Sequence, residues 1–142
     1  MNWKLWASCL TLTFFIIACA KVPFTGRRQT KAIPIPTINQ MSFTEYDSFI
    51  KQNQTLTSGS DVQMVRRVGG KLVRAMEAYY KAEGLEQKLL EFNWEFNVVK
   101  NDEVPNAFCM PGGKVVIYTG ILPITQDEDG LAVVMGHEIA HA

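Results

Sequence analysis

The spacing of apolar residues changes character along the chain, and each change marks an element. A continuous apolar run from Leu10 to Ala18 comes first, too short for a membrane span. Residues 20–41 carry Pro23 and then Ile33-Pro34-Ile35-Pro36, which disfavour helix and predict an extended, polyproline-like tether. Phe43, Tyr46, Phe49 and Ile50 recur at helical spacing. A helix is therefore expected from Ser42 to Gln54, with Ser42 as its cap and Glu45 completing a capping box. A polar loop, residues 55–59, leads to a second capping signal, Ser60 with Gln63. The stripe behind it (Val62, Val65, Val68, Leu72, Val73, Met76) predicts a longer helix that Gly84 ends. Gly69-Gly70 interrupts that stripe and weakens the helix by about 1 kcal/mol per glycine unless it permits close packing. Arg66, Arg67, Lys71 and Arg74 line its other side, which reads as a solvated basic face.

From residue 92 the period switches to two. Phe92, Trp94, Phe96 and Val98 alternate with Asn93, Glu95 and Asn97, the pattern of a strand with one buried aromatic face. A hairpin follows, with strands from Ala107 to Met110 and from Lys114 to Thr119 around the breaker Pro111-Gly112-Gly113. Asp127, Glu128 and Asp129 put negative charge where a closing helix begins, the end its dipole makes positive. Leu131, Ala132, Val133, Val134 and Met135 continue that helix, with Ile139 and Ala140 beyond, so it reads as buried nearly all round.

Charge adds an exclusion. Among 142 residues, 14 basic side chains balance 14 acidic ones without a basic stripe, which argues against a nucleic-acid partner. The opening apolar run has the length of a signal-peptide core. It ends Ile16-Ile17-Ala18-Cys19, which resembles the bacterial lipobox, so Cys19 is the expected site of lipid attachment after removal of residues 1–18. Ala18-Cys19-Ala20 also reads as an ordinary A-x-A cleavage site, the competing possibility. The lipidated form would leave Cys109 as the lone thiol, unable to form an internal disulfide and best suited to act as a small buried apolar residue beside Phe108.

The only two histidines of the chain stand in Gly136-His137-Glu138-Ile139-Ala140-His141, an H-E-x-x-H pattern. Four residues apart on a helix, His137 and His141 share a face one turn apart and can grip one ion. Zinc takes neutral imidazole and keeps an open position for water in its catalytic sites. Glu138 lies about a third of a turn from His137, placed to act as general base without ligating the metal. A helix that carries these three residues by chance is the bland alternative. Burying them would be costly unless a metal or other partners satisfied them.

About two dozen residues ahead of this motif stands Val104-Pro105-Asn106-Ala107-Phe108-Cys109-Met110-Pro111-Gly112-Gly113. The pair of motifs resembles metallopeptidase family 48, the gluzincin-type zinc endopeptidases that include the CAAX prenyl proteases. Cys19 followed by Val22-Pro23-Phe24-Thr25-Gly26-Arg27-Arg28-Gln29 looks more like the family's bacterial lipoprotein members. The resemblance implies one Zn2+ ion held by His137 and His141, with Glu138 as the catalytic base. It also implies an edge strand, Asn106, Ala107, Phe108, Cys109 and Met110, that binds an extended peptide through its backbone.

The expected fold is α+β and zincin-like, with helices packed on a small antiparallel sheet and the metal helix against that sheet. The expected layout is a lipoprotein signal (residues 1–18), a lipid-anchored tether (residues 19–41) and the N-terminal part of a zinc metallopeptidase domain (residues 42–142). Protein or peptide substrates, unfolded or misassembled chains above all, and a membrane reached through the lipid are the expected partners. The expected location is the bacterial cell envelope, periplasm-facing, with the outer membrane favoured. The family's third ligand, a glutamate on a later helix, has no matching position here. That predicts an incomplete, inactive fragment of a longer enzyme; the alternative is a non-catalytic lipid-anchored accessory protein with a vestigial metal site.

Overall fold

A computed structural model describes residues 19–21, 28–30 and 33–141. The expected signal, residues 1–18, and residues 22–27 of the lipoprotein-like stretch lie outside the described residues. Two compact units divide the chain, Met1–Pro34 and Ile35–Ala142. In the first, β1 (Cys19–Lys21) and β2 (Arg28–Thr30) form an antiparallel pair with Cys19 opposite Thr30. A stretch expected to be an unpaired tether thus satisfies part of its backbone with a ladder of its own.

The second unit opens with α1 (Ile35–Gln52), which starts seven residues before Ser42. Pro36 does not prevent this. It falls in the first helical turn, where no intrahelical partner exists for its missing N–H and its fixed φ already suits a helix. Ser42 is accordingly no cap: it is buried mid-helix, and its Oγ donates to the carbonyl of Pro111 at 2.7 Å. After β3 (Thr55–Leu56), where a polar loop was expected, comes α2 (Ser60–Ala82). Ser60 is helical and Gly59 occupies the cap position without a side-chain bond. The stripe expected of α2 is its buried face, and Gly69 is what lets it lie close. A β-carbon there would stand 2.6 Å from the Phe96 ring.

A 3-10 turn, Glu86–Glu91, leads to β4 (Glu95–Val99), then β5 (Ala107–Met110) and β6 (Lys114–Tyr118). The strands lie in the order β3-β4-β6-β5. The α+β class is as expected, but the sheet is mixed, not antiparallel throughout. The β5–β6 hairpin returns β6 into the place next to β4, and the two run parallel, with Glu95 beside Lys114 and Val99 beside Tyr118.

Alternation sends the two sides of this sheet to different helices. On one face Val98, Val115, Ile117 and Ala107 pack with Val62, Val65 and Val68 of α2 and with Leu131 and Met135 further on. On the other, Val99 and Val116 pack with Tyr46 of α1, with Phe49, Phe108, Met110 and Tyr118 around them. Each fully buried valine here is worth roughly 1.5–3 kcal/mol. The second face also hides Lys114, only 6% exposed, whose Nζ meets Glu95 at 3.1 Å and lies over the rings of Phe43 and Tyr46 at 4.9 and 5.8 Å. The Tyr46 hydroxyl accepts from Asn97 at 2.7 Å, and burial pushes its pKa up to about 12.

Past a 3-10 turn (Thr119–Ile121) and the short α3 (Leu122–Thr125), the chain reaches α4 (Glu128–Ile139). Its entry is held at four points. Gln126 has φ 66° and ψ −49°, and Asp127 N–H closes a γ-turn onto Thr125 C=O at 2.8 Å. Asp127 caps the helix, accepting from Gly130 N–H at 2.9 Å. Gly130 itself has no room for a β-carbon against the Thr125 carbonyl. Finally, Glu128 accepts from Arg67 Nε at 2.6 Å and from Lys71 Nζ at 2.8 Å, tying α4 to α2. Two residues of the presumed solvated basic face are therefore engaged. No helix among the described residues is long and apolar enough to cross a membrane.

Two measurements test this account of α4. Gly130→Ala, which helix propensity alone would make stabilising, is expected to destabilise the chain by about 1–3 kcal/mol in urea unfolding, because the methyl must displace the Thr125 carbonyl. The bonds from Arg67 and then Lys71 hold the Glu128 pKa at about 2, below its ordinary 4.5. Their contribution is present above pH 4.5 and is lost as pH falls through about 2. Unfolding curves taken across that range should lose stability less steeply for Glu128→Gln than for the unaltered chain.

Candidate active site

The last turn of α4 carries His137 and Glu138, Ala140 caps it, and His141 stands in the turn just beyond. Continuity is kept by hydrogen bonds from Ala140 N–H to Gly136 C=O at 3.2 Å and from His141 N–H to Glu138 C=O at 3.1 Å. The second of these is a tightened, i→i+3 bond of the kind that ends helices. The i, i+4 relation survives it. The two rings stand nearly edge to face, 4.8 Å between centroids, with their Nε2 atoms 3.3 Å apart.

That separation has two uses. One ring can donate to the other if their tautomers differ. It is also the separation of about 3.3–3.4 Å that two ligands at about 2.0–2.1 Å from one tetrahedral ion must have. That spacing is compatible with one zinc ion between the two rings. The expectation that α4 is buried all round is wrong, and with it the argument that burial forces a metal on these residues. Leu131 and Met135 are buried, but His137 and His141 are exposed and Val133, one turn before His137, is 74% exposed. Only one face of the helix packs, because α2 and the sheet cover one side of it. The Nε2 spacing, not burial, is the feature that favours a metal there. Among the described residues no group of three or more His, Cys, Asp or Glu side chains is placed to hold an ion.

Glu138 is half-buried. Its charge is felt by Cys109 on β5, whose thiol pKa rises to about 12, chiefly through burial and then through Glu138. A thiol so shifted stays protonated and unreactive near neutral pH, in keeping with a small packing residue. Cys109 Sγ lies 3.5 Å from the Met110 carbonyl.

The expected edge strand is present from Ala107 to Met110, with β6 its one neighbour in the sheet among the described residues, and α4 packs beside it. Asn106 precedes the strand, and its Oδ1 accepts from Ala107 N–H at 2.9 Å. The ladder bond from Tyr118 N–H to Asn106 C=O, 3.0 Å, sets the alternation. Phe108 and Met110 share its parity and face β6, whereas the N–H and C=O of Cys109 face the open edge. The structure thus sets His137 beside His141 and brings Glu138 within electrostatic reach of Cys109 on β5. Cys19 belongs to the other compact unit. Sequence reasoning missed the Arg67–Glu128–Lys71 clamp; the single clue was charge of opposite sign on the two helices.

Comparison with known proteins bears on the same residues. The profile of peptidase family M48 matches residues 66–142. The mitochondrial metalloendopeptidase OMA1 of Saccharomyces cerevisiae is 32% identical over 130 residues, covering 90% of this chain and 38% of that protein. Its human counterpart is 29% identical over 148 residues, covering 99% of this chain and 27% of its own length. The beta-barrel assembly-enhancing protease of Escherichia coli K12 is 42% identical over 48 residues, 34% of this chain and 10% of that protein. The chain thus spans well under half the length of these relatives. They overturn the expected location in a bacterial outer membrane, since the relatives aligned along most of the chain are mitochondrial proteases. The lipoprotein reading rested on Ile16-Ile17-Ala18-Cys19 and on the stretch from Val22 to Gln29, too short a signal to fix a compartment. The matched segment runs from α2 through both histidines, and on that match the chain belongs to peptidase family M48.

Proposed function

We propose that this chain carries the metal helix and substrate strand of a zinc-dependent metalloendopeptidase that cleaves proteins. The observation that supports it best is the imidazole pair, Nε2 to Nε2 at 3.3 Å, with Glu138 between them in sequence and an open strand edge alongside. Because the chain spans 38% of its yeast relative, the activity is proposed for the protein that contains this stretch.

His137 and His141 would hold the ion. Bound zinc supplies Lewis acidity to the scissile carbonyl and lowers the pKa of water. Glu138 takes the proton of the attacking water and delivers it to the leaving amine, the work of a carboxylate held next to both. Cys109 offers its outward N–H and C=O to a peptide laid along β5, and these read backbone whatever the side chains. Recognition of that kind suits unfolded or misassembled proteins, whose backbone is unpaired. The name of the bacterial relative, an enhancer of β-barrel assembly, is compatible with such substrates.

In the protein that contains this stretch, Glu138→Gln should keep its zinc and lose about 10²–10⁴-fold in kcat on an unfolded protein such as casein, because the amide cannot accept the proton. His137→Ala or His141→Ala should instead lose the metal itself, read by elemental analysis after gel filtration. Cleavage at the unaltered rate by Glu138→Gln would remove Glu138 from the reaction. Unchanged zinc content in both histidine variants would remove the metal site.

A further inference from the structure

Lys114, the first residue of β6, is the one buried charged side chain among the described residues. Its Nζ meets Glu95 Oε2 on β4 at 3.1 Å, under the Phe43 and Tyr46 rings of α1. Glu95 is held in turn, its Oε1 accepting from Asn97 Nδ2 at 2.9 Å. Stability does not account for such a charge, because apolar side chains of the same size commonly serve a buried site at least as well as an ion pair. What the pair supplies is discrimination. Any arrangement that parts the two charges leaves an ammonium buried without its carboxylate.

The arrangement in question is strand register. Glu95, Asn97 and Val99 of β4 share the face towards α1 with Lys114, Val116 and Tyr118 of β6, and they pair in that order. Val115, Val116 and Ile117 are fully buried on both faces of β6, so its apolar pattern hardly distinguishes one register from the next. Gly113 excludes a slip in one direction. A β-carbon there would lie 2.8 Å from the Trp94 ring, so Val115 cannot take its place. The opposite slip, which would set Lys114 beside Asn97, is the one the ion pair opposes: the ammonium would exchange a carboxylate for an amide.

The short turn Pro111-Gly112-Gly113 ties β5 to β6, so β5 goes wherever β6 docks. A slip of two residues would carry the hairpin roughly 6.6 Å along β4. We propose that Lys114 and Glu95 are a positioning pair, whose ion pair sets the register of the β5–β6 hairpin on β4 and so places β5 beside α4. The consequence for peptide binding rests on the reading of β5 as the substrate strand; the register itself does not.

The test compares Lys114→Met and Glu95→Gln with the unaltered protein that contains this stretch. In Glu95→Gln the amide at position 95 matches that of Asn97, so both registers offer Lys114 the same partner. Amide hydrogen exchange, read by mass spectrometry, should show protection lost across β5 and β6 in both variants. Protection of α2 should be unaltered. The urea midpoint of Lys114→Met should not fall, because the substitution removes a buried charge and keeps an unbranched side chain. On casein, KM should rise by on the order of tenfold while kcat and bound zinc stay constant. The double variant should lose no more than either single one, as expected of residues that act only through each other.

Unchanged exchange in β5 and β6 would overturn the proposal whatever the kinetics. Protection lost evenly from α2 and the sheet would overturn it too, because that marks lost stability and not lost register. Glu95→Gln, at an exposed residue, decides alone if Lys114→Met does not fold. Selective loss of protection with KM unaltered, or in a protein that cleaves nothing, would uphold the pair and count against the peptidase reading instead.

Discussion

Everything at the candidate site depends on how the first turn of α4 is pinned. The γ-turn at Gln126, the Asp127 cap, the contact of Gly130 with the Thr125 carbonyl and the double bond of Glu128 to Arg67 and Lys71 all act within five residues. A helix is stiff, so fixing where it starts fixes where its next turns point. His137 lies seven residues past Gly130, about two turns, and needs no partner of its own to be placed. This explains how exposed imidazoles keep a ligand-like separation. Glu128 is the member that couples α4 to α2, and its two cations are exposed, so salt should loosen this link before it loosens the buried contacts.

The sheet acts as a divider between two jobs. Along β5, Ala107 and Cys109 look towards α2 and α4, the side of the candidate site, while Phe108 and Met110 look towards α1. The Phe49 ring meets Phe108 at 5.3 Å, edge to face, and Ser42 holds the hairpin turn through Pro111. The helix on the far side thus braces the strand that borders the site without touching the site. That helix lies outside the segment matched by the family profile, which begins at residue 66.

Much of this could be read from the residues alone, for physical reasons. The i, i+4 histidines specify a shared helical face, period two specifies β4, and Pro111-Gly112-Gly113 specifies the β5–β6 turn. What could not be read is what depends on neighbours. Pro36 argues against helix in general but not in a first turn, so α1 begins seven residues ahead of Ser42. The apolar run Leu131–Met135 says that a helix is greasy, not that Val133 faces outward. Lys114 reads as a surface charge until Glu95, Phe43 and Tyr46 are found to enclose it. Parallel pairing of β4 with β6 has no local signature, because it follows from where the hairpin docks.

The edge of β5 that is unpaired among the described residues carries a liability of its own. An unpaired strand edge that can accept a foreign peptide can equally accept a strand from another molecule of the same protein, the first step towards sheet-like aggregates. Among the described residues the strand's protection is its brevity. Four residues, the first with its N–H already turned onto Asn106, give a growing sheet little to hold. Shortness here acts as a safeguard, and lengthening β5 by even one outward-facing pair of groups would trade solubility for grip.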